Sequence, residues 1–388
     1  MRNKYYTFIT YSTLLLLFTV VFGTSFTKLQ LARYIYLYDT LFILLIVLLT
    51  VFKKKLTLYK NVLIIFLFHI TYIFISFYDN RVLYLVLRQS ALITYFLFAS
   101  FLYINIINEY NIKTHINVIV VISAIGTAIQ ILYLILKSLK SGYIEMFVGN
   151  KYNYYSPAVI LSLLTILSYI TVVIKSRIKL IILTLIVLLC IIATGHSSAV
   201  ISALIILGIY YSRKTKNSNL ITIITISIIL IIMMFADKNY TDINAMWRLE
   251  YWKDALVTIF KKDFIIFGQG YGVSFTSKAN AYHLGLNKYL NSNYSEMYLS
   301  SFHNSFITIW YHLGLIPLIL IIAPVYKNIK NSIKRSNEYN IIYYSLIGAT
   351  IWVSFNVILE LPHSSLYYWY IYYLFIKYNK YVPNYEEL

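Results

Sequence analysis

His303 closes a long polar stretch and leads through Asn304 into an apolar run. Imidazole is the one common side chain that titrates near neutral pH, so His303 could take a proton from a hydroxyl. Arg248 lies early in the same stretch, inside Trp247-Arg248-Leu249-Glu250-Tyr251-Trp252. Its guanidinium is a permanent cation whose planar fork suits two oxygens of one phosphate. Together they set a titratable ring and a fixed cation on one extramembrane segment, where chemistry on a membrane-bound substrate would occur. Each has a plainer reading: an interfacial arginine on a surface helix, and a histidine bonded to backbone at a membrane boundary.

Other polar groups carry less. Gly268-Gln269-Gly270 lacks the preceding strand and third glycine of a dinucleotide fingerprint, and a tight turn explains it equally well. Arg81 and Arg88 precede an apolar run, where a charge near hydrocarbon is costly and often functional, although both could snorkel to the interface. Glu360 and His363 sit in a short turn that could border the same site. His283 and His312 belong to no motif. No His and acidic cluster has metal-ligand spacing, so neither metal nor cofactor is expected. The single cysteine, Cys190, has no partner for a disulfide.

The elements that must position these groups are membrane spans. Of 388 residues 60% are apolar and 12% charged, with a mean hydropathy of +0.70. A soluble domain carries about 25% charged residues. Runs of about 20 apolar residues must be helices, which satisfy their own backbone groups where there is no water. The reading is an all-α polytopic membrane protein with about twelve transmembrane helices. The runs lie near 8–26, 34–52, 61–77, 90–107, 116–136, 157–174, 180–194, 196–212, 220–236, 304–324, 341–359 and 364–376. The pair around Gly195 is short, so eleven spans is the alternative. One large outer loop, 237–303, falls between spans nine and ten, and the whole chain, 1–388, reads as one integral membrane domain.

Charge sets the orientation. With the N-terminus inside, 19 of the 33 basic residues fall on the cytoplasmic side and seven in short outer segments, so both termini are expected inside. The net charge of +19 is spent at these span ends, against anionic lipid, and nucleic-acid binding is not expected. Met1-Arg2-Asn3-Lys4 before an apolar run reads as an uncleaved first helix. Tyrosines bunched at span ends, such as Tyr34, Tyr36, Tyr38, Tyr367, Tyr368 and Tyr370, suit interfacial belts.

Within the long loop, Met246, Leu249, Trp252, Leu256, Ile259 and Phe260 follow helical spacing, with Arg248 off that stripe. This predicts an amphipathic helix capped by Asp242 or Asn244 and ended by the Gly268–Gly272 turn. The outer segment 137–156 could form part of a lid. No internal repeat of the transporter kind is present.

Taken in order, these pieces resemble the O-antigen ligase/polymerase family of bacterial membrane glycosyltransferases, over about residues 190–325. The matching elements are Thr194-Gly195-His196-Ser197-Ser198-Ala199, Arg248 with Trp252, Gly268 with Gly270, and His303-Asn304 with Gly314. Ser197 stands where the family's Thr-Gly-Ser-Arg element has arginine, so another cation, Arg88 or Arg81, would serve as second phosphate ligand. The resemblance implies metal-independent, inverting glycosyl transfer in the bacterial cytoplasmic membrane, on its outer face. The donor would be an undecaprenyl-diphosphate-linked glycan, and a chain-length regulator is an expected partner. Arg248 and His303 would be catalytic; Asn304, Gly268, Gly270, Arg88 and Arg81 would bind substrate. Modest length and the lack of an extra domain favour a polymerase of repeat units, for O-antigen or capsular polysaccharide. The alternatives are a ligase with a lipid or protein acceptor and a flippase, which would want charged residues lining a path inside spans.

Overall fold

Apolar runs separated by basic or glycine-bearing turns fold here as a bundle of helices. The computed structural model describes residues 2–21, 30–32, 35–53, 55–108, 110–141, 157–214, 243–261, 264–275, 302–330, 337–356 and 359–381. Those residues form α1 (Arg2–Val21), a small antiparallel pairing of β1 (Gln30–Ala32) with β2 (Ile35–Tyr36), and α2 (Leu37–Phe52). Next come α3 (Lys60–Tyr78), α4 (Leu83–Ile106), α5 (Ile112–Ser141), α6 (Pro157–Val173), α7 (Arg177–Ala193) and α8 (Ser197–Lys214). The second half supplies α9 (Ile243–Lys261), α10 (Ser305–Leu313), α11 (Leu315–Lys330), α12 (Asn337–Val353) and α13 (Pro362–Tyr381). The expected ninth span, 220–236, lies outside the described residues, as does 142–156 of the expected lid.

Three of the described helices are long and apolar enough to cross a bilayer: Lys60–Tyr78, Leu85–Ile106 and Ile112–Leu132. Asp39–Phe52, Pro157–Val173 and Leu315–Ile329 are apolar but shorter. The pattern of exposure suits a lipid solvent. On α7, Ile178, Ile181, Ile182, Leu185, Ile186, Leu189 and Ile192 are exposed at helical spacing, an outward apolar stripe that water would penalise. By contrast α6 is buried on nearly every face, packed against α5, α7 and α12. Its Ser162, Thr165 and Ser168 hydroxyls donate to carbonyls one turn back, at 2.8–2.9 Å, so none enters the interior unbonded.

Three expectations change. Tyr367, Tyr368 and Tyr370 are not a belt: α13 is central, and these rings are buried inside the bundle. Polar groups on neighbouring helices explain this. Tyr367 Oη bonds Ser123 at 2.6 Å and Thr165 at 3.0 Å, Tyr368 meets Thr350 at 3.1 Å, and Tyr370 bonds His115 Nδ1. The helix of the expected span 341–359 stops at Val353, beyond which the Phe355 and Asn356 carbonyls accept side-chain donors from Arg248 and Ser305. The expected span 304–324 is two helices, broken at Gly314.

That break is sealed by residues 264–275, the glycine strap. Gln269 and Gly270 donate their N–H groups to the Tyr311 and His312 carbonyls at 2.8 and 2.9 Å, and Leu315 N–H donates to the Ile265 carbonyl at 2.9 Å. Backbone groups freed by the break are thereby paired, as burial demands. Two glycines make this approach possible. Gly314 has φ +84°, and a Cβ there would run into the Ile266 carbonyl; a Cβ on Gly268 would stand 2.5 Å from Gly314 N. The strap is gripped in turn by α3 and α4. Gln89 Nε2 donates to the Val273 carbonyl at 2.7 Å, its Oε1 accepts Gly272 N–H at 2.7 Å, and Ser76 Oγ donates to the Tyr271 carbonyl at 2.9 Å.

Candidate functional site

The site gathers at the other end of α10. Asn304 caps the helix: its Oδ1 accepts the N–H groups of Phe306 and Ile307 at 3.0 and 3.1 Å. Phe302, just before, is buried among Tyr251, Phe275 and Tyr311, with ring centroids 4.8–4.9 Å apart. Between a buried Phe and a capping Asn, the chain turns through His303 at φ +51°. A non-glycine residue in the left-handed region is uncommon, and such strain persists only where neighbours impose it.

α9 presents Arg248 to this turn. Its buried face is Tyr251, Ala255 and Ile259, flanked by Trp252 and Leu256, so it is rotated by about one residue from the stripe that apolar spacing alone suggests. Tyrosine explains the offset: Tyr251 packs its ring on Phe302, while Phe260 stays exposed against Trp310. Arg248 stands one turn before Tyr251 and Trp252, on the inward face and not off it. It is partly buried, and its Nη1 donates to the Phe355 carbonyl at 3.3 Å. Trp252 fastens the helix on both sides, with Nε1 donating to the Phe302 carbonyl and its ring 5.7 Å from Phe355. Of the two expected caps, Asp242 lies outside the described residues and Asn244 falls inside the helix.

The unwound end of α12 is a common platform. Phe355 meets Arg248 and Trp252; Asn356 donates Nδ2 to Ser198 Oγ at 2.9 Å and accepts Ser305 Oγ at its carbonyl at 3.3 Å. Trp352 packs edge-on to His196, centroids 6.3 Å apart. His196 occupies the turn between α7 and α8, after Gly195 at φ +72°.

Electrostatics tie these groups together. Burial first, and then the Arg248 charge, push the His303 imidazole down to about 4. The His303 ring is therefore neutral at pH 7, and Arg248 is near enough for its charge to be felt there. Burial raises the Tyr251 phenol, with Tyr311, Asp254 and Glu360 adding to it, which places Glu360 in the same neighbourhood.

The sequence candidates thus divide. Arg248 and His303 are brought together. Asn304 adjoins them as a cap. Gly268 and Gly270 lie in the strap, at the far end of α10. Arg81 binds that strap: Nη1 donates to the Tyr271 and Gln269 carbonyls at 2.7 and 3.2 Å, and Nη2 pairs with Asp79 at 2.7 Å. Arg88 is exposed on α4. Sequence reasoning did not single out His196 or Asn356. His196 stood within the quoted Thr194-Gly195-His196 element and could have been weighed there; Asn356, one amide in an apolar run, offered nothing to find.

Fold and site together define a helical membrane protein in which basic side chains converge beside an amphipathic helix. Over residues 152–322 the chain is similar to the family whose model is described as O-antigen ligase. The family implies a glycosyltransferase-like enzyme acting on lipid-linked glycan. No curated protein matches the chain.

Proposed function

We propose that the protein is a polysaccharide polymerase of the bacterial cytoplasmic membrane, joining undecaprenyl-diphosphate-linked repeat units on the outer face. The observation that supports this best is that the helix carrying Arg248 is fastened to the turn of His303, 55 positions on in sequence, by Trp252 bonding the Phe302 carbonyl. In this reading about twelve spans carry the chain, loop 237–303 is outside, and the 19-to-7 bias of basic residues sets the orientation.

The acceptor hydroxyl attacks the anomeric carbon of the donor as the bond from that carbon to the diphosphate oxygen breaks. One direct displacement inverts the configuration, and no metal or nucleotide is required, because the leaving group is already activated. Arg248 stabilises the charge that grows on the diphosphate. His303 receives the hydroxyl proton. A ring held near 4 is a weak base, but a bound diphosphate offsets the Arg248 charge and adds its own, which lifts the imidazole toward the working range. The base would therefore gain strength as the donor arrives.

A ligase shares this donor and differs in acceptor, and the family description itself names a ligase. The test is the length and leaflet of lipid-linked glycan in a His303→Ala strain with normal protein levels. A polymerase predicts single lipid-linked units accumulating on the outer leaflet, with polymer reduced about 10²–10⁴-fold as for loss of a general base. Unchanged polymer with unattached long chains would move the protein to the ligase, and units trapped on the inner leaflet would move it to a flippase.

A further inference from the structure

Both halves of the site hang on two consecutive carbonyls at the end of α12. The Phe355 carbonyl accepts Arg248 Nη1 at 3.3 Å. The next carbonyl, that of Asn356, accepts Ser305 Oγ at 3.3 Å, two residues beyond His303. Leu359 N–H donates back to the same hydroxyl at 3.4 Å, so the chain leaving α12 stays on the first residue of α10. Successive residues lie about 3.8 Å apart along a chain, so a shift of this segment moves both contacts at once.

One amide holds the segment. Asn356 Nδ2 donates to the Trp352 carbonyl at 3.0 Å, one turn back, and to Ser198 Oγ at 2.9 Å on the first turn of α8. An amide nitrogen carries two hydrogens, and both are engaged. The side chain is buried, as is Ser305, so water does not replace either bond when the amide is lost. α12 is thereby fixed to α8 at the residues that carry Arg248 and the His303 turn.

We infer that Asn356 is a positioning residue for glycosyl transfer, whose amide anchors the end of α12 to α8 so that the Phe355 and Asn356 carbonyls hold Arg248 and the His303 turn in register. The inference rests on the proposed reaction, in which the guanidinium serves the leaving group and the imidazole serves the attacking hydroxyl. Those groups act on opposite sides of one displacement, and their separation must match it. A misplacement of about 1 Å costs about 10²-fold in rate. Asn356 itself touches no reacting atom.

The test uses full-length protein in lipid nanodiscs and lipid-linked glycan extracted from a strain lacking this chain. Rates are expressed per folded protein, which removes effects on yield and stability. Leucine keeps the branched outline of asparagine without the amide. Asn356→Leu should lower kcat about 10²-fold and leave KM within about threefold, because geometry is lost and ground-state binding is not. A lowered Tm with wild-type kcat, or a raised KM with wild-type kcat, overturns the inference. Where Asn356→Leu fails to fold, Ser198→Ala removes only the acceptor on α8: a kcat lowered about tenfold supports the anchor, and wild-type kcat overturns it. In the double variant the two losses should not add, since both break one bond, and fully additive losses would overturn the anchor. Wild-type turnover in folded Asn356→Leu, with turnover lost in His303→Ala, removes Asn356 and leaves the proposed function standing. A wild-type protein that transfers no glycan overturns both.

Discussion

The glycine strap and the Arg248–His303 turn occupy opposite ends of α10, about 13 Å apart for nine residues, and treat polar groups in opposite ways. At the strap, the carbonyls of Tyr311 and His312 and the N–H of Leu315 each find a backbone partner. Arg81 is anchored there by Asp79 and two carbonyls. At the other end, Asn304 closes the helix, and a guanidinium then stands near the His303 imidazole, groups that repel one another once both are charged. Polar chemistry committed to its own chain builds a lock. Burial beside a fixed cation depresses the His303 imidazole, and perturbed groups of this kind cluster at functional sites. Two arginines on one chain, Arg81 and Arg248, are thus separated by what surrounds them, not by their type.

The comparison breaks most visibly at the lock. Gly314→Ala puts a Cβ into the Ile266 carbonyl at a φ of +84°, which the strap cannot relieve without releasing α11. The expected cost is about 3 kcal/mol or more, from left-handed backbone strain plus a backbone clash. Thermal unfolding in detergent should show a large drop in Tm, with activity lost alongside it. Arg81→Gln should shift Tm in the same direction by less, and diphosphate affinity measured on the folded fraction should stay near wild type. Wild-type stability in Gly314→Ala would mean that the strap is not a lock.

The second effect belongs to the gathered bases. His303 titrates at about 4 in the folded chain against about 6.5 unfolded, so between these values the unfolded chain binds the extra proton. Stability is then fully present above pH 6.5 and lost as pH falls toward 4, by up to about 3 kcal/mol for this residue before solvent screening. His303→Gln removes the group and should flatten that acid-side slope while leaving the neutral-pH Tm close to wild type. An equally steep slope in His303→Gln would show that burial and the Arg248 charge do not depress His303, and would separate the two ends less sharply.

Most helices could be read directly, because a run such as Leu180–Ile192 has no other way to satisfy its backbone in lipid. Arg248 and His303 could be picked out as candidates, since both residue types and their places at the ends of one loop point to chemistry. Three things could not be read. Gly268-Gln269-Gly270 and Gly314 looked like separate motifs, yet they are two halves of one backbone contact whose partners lie 46 positions apart. The inward direction of Arg248 was missed because Tyr251 counts as polar-faced in an apolar stripe but is buried on Phe302. The tyrosines of α13 looked interfacial because composition cannot show that Ser123, Thr165 and Thr350 on other helices are waiting for their hydroxyls.

The smallest expected effect is at Asn304, where the two ends of the comparison nearly touch. Its Oδ1 caps α10 through Phe306 and Ile307, which makes it part of the helix, while its neighbour His303 belongs to the site. If capping is its task, Asn304→Ala should cost about 1 kcal/mol, and Asn304→Ser and Asn304→Asp should both recover it, since either oxygen accepts the same N–H groups. If the amide also donates to substrate, the two rescues part company. Asn304→Asp would restore Tm yet weaken diphosphate binding, because a carboxylate offers no donor and repels the phosphate. Measuring Tm and diphosphate affinity on the three variants separates these cases: rescue of both by Asp assigns Asn304 to the helix alone, and rescue of Tm only extends the site by one residue into α10.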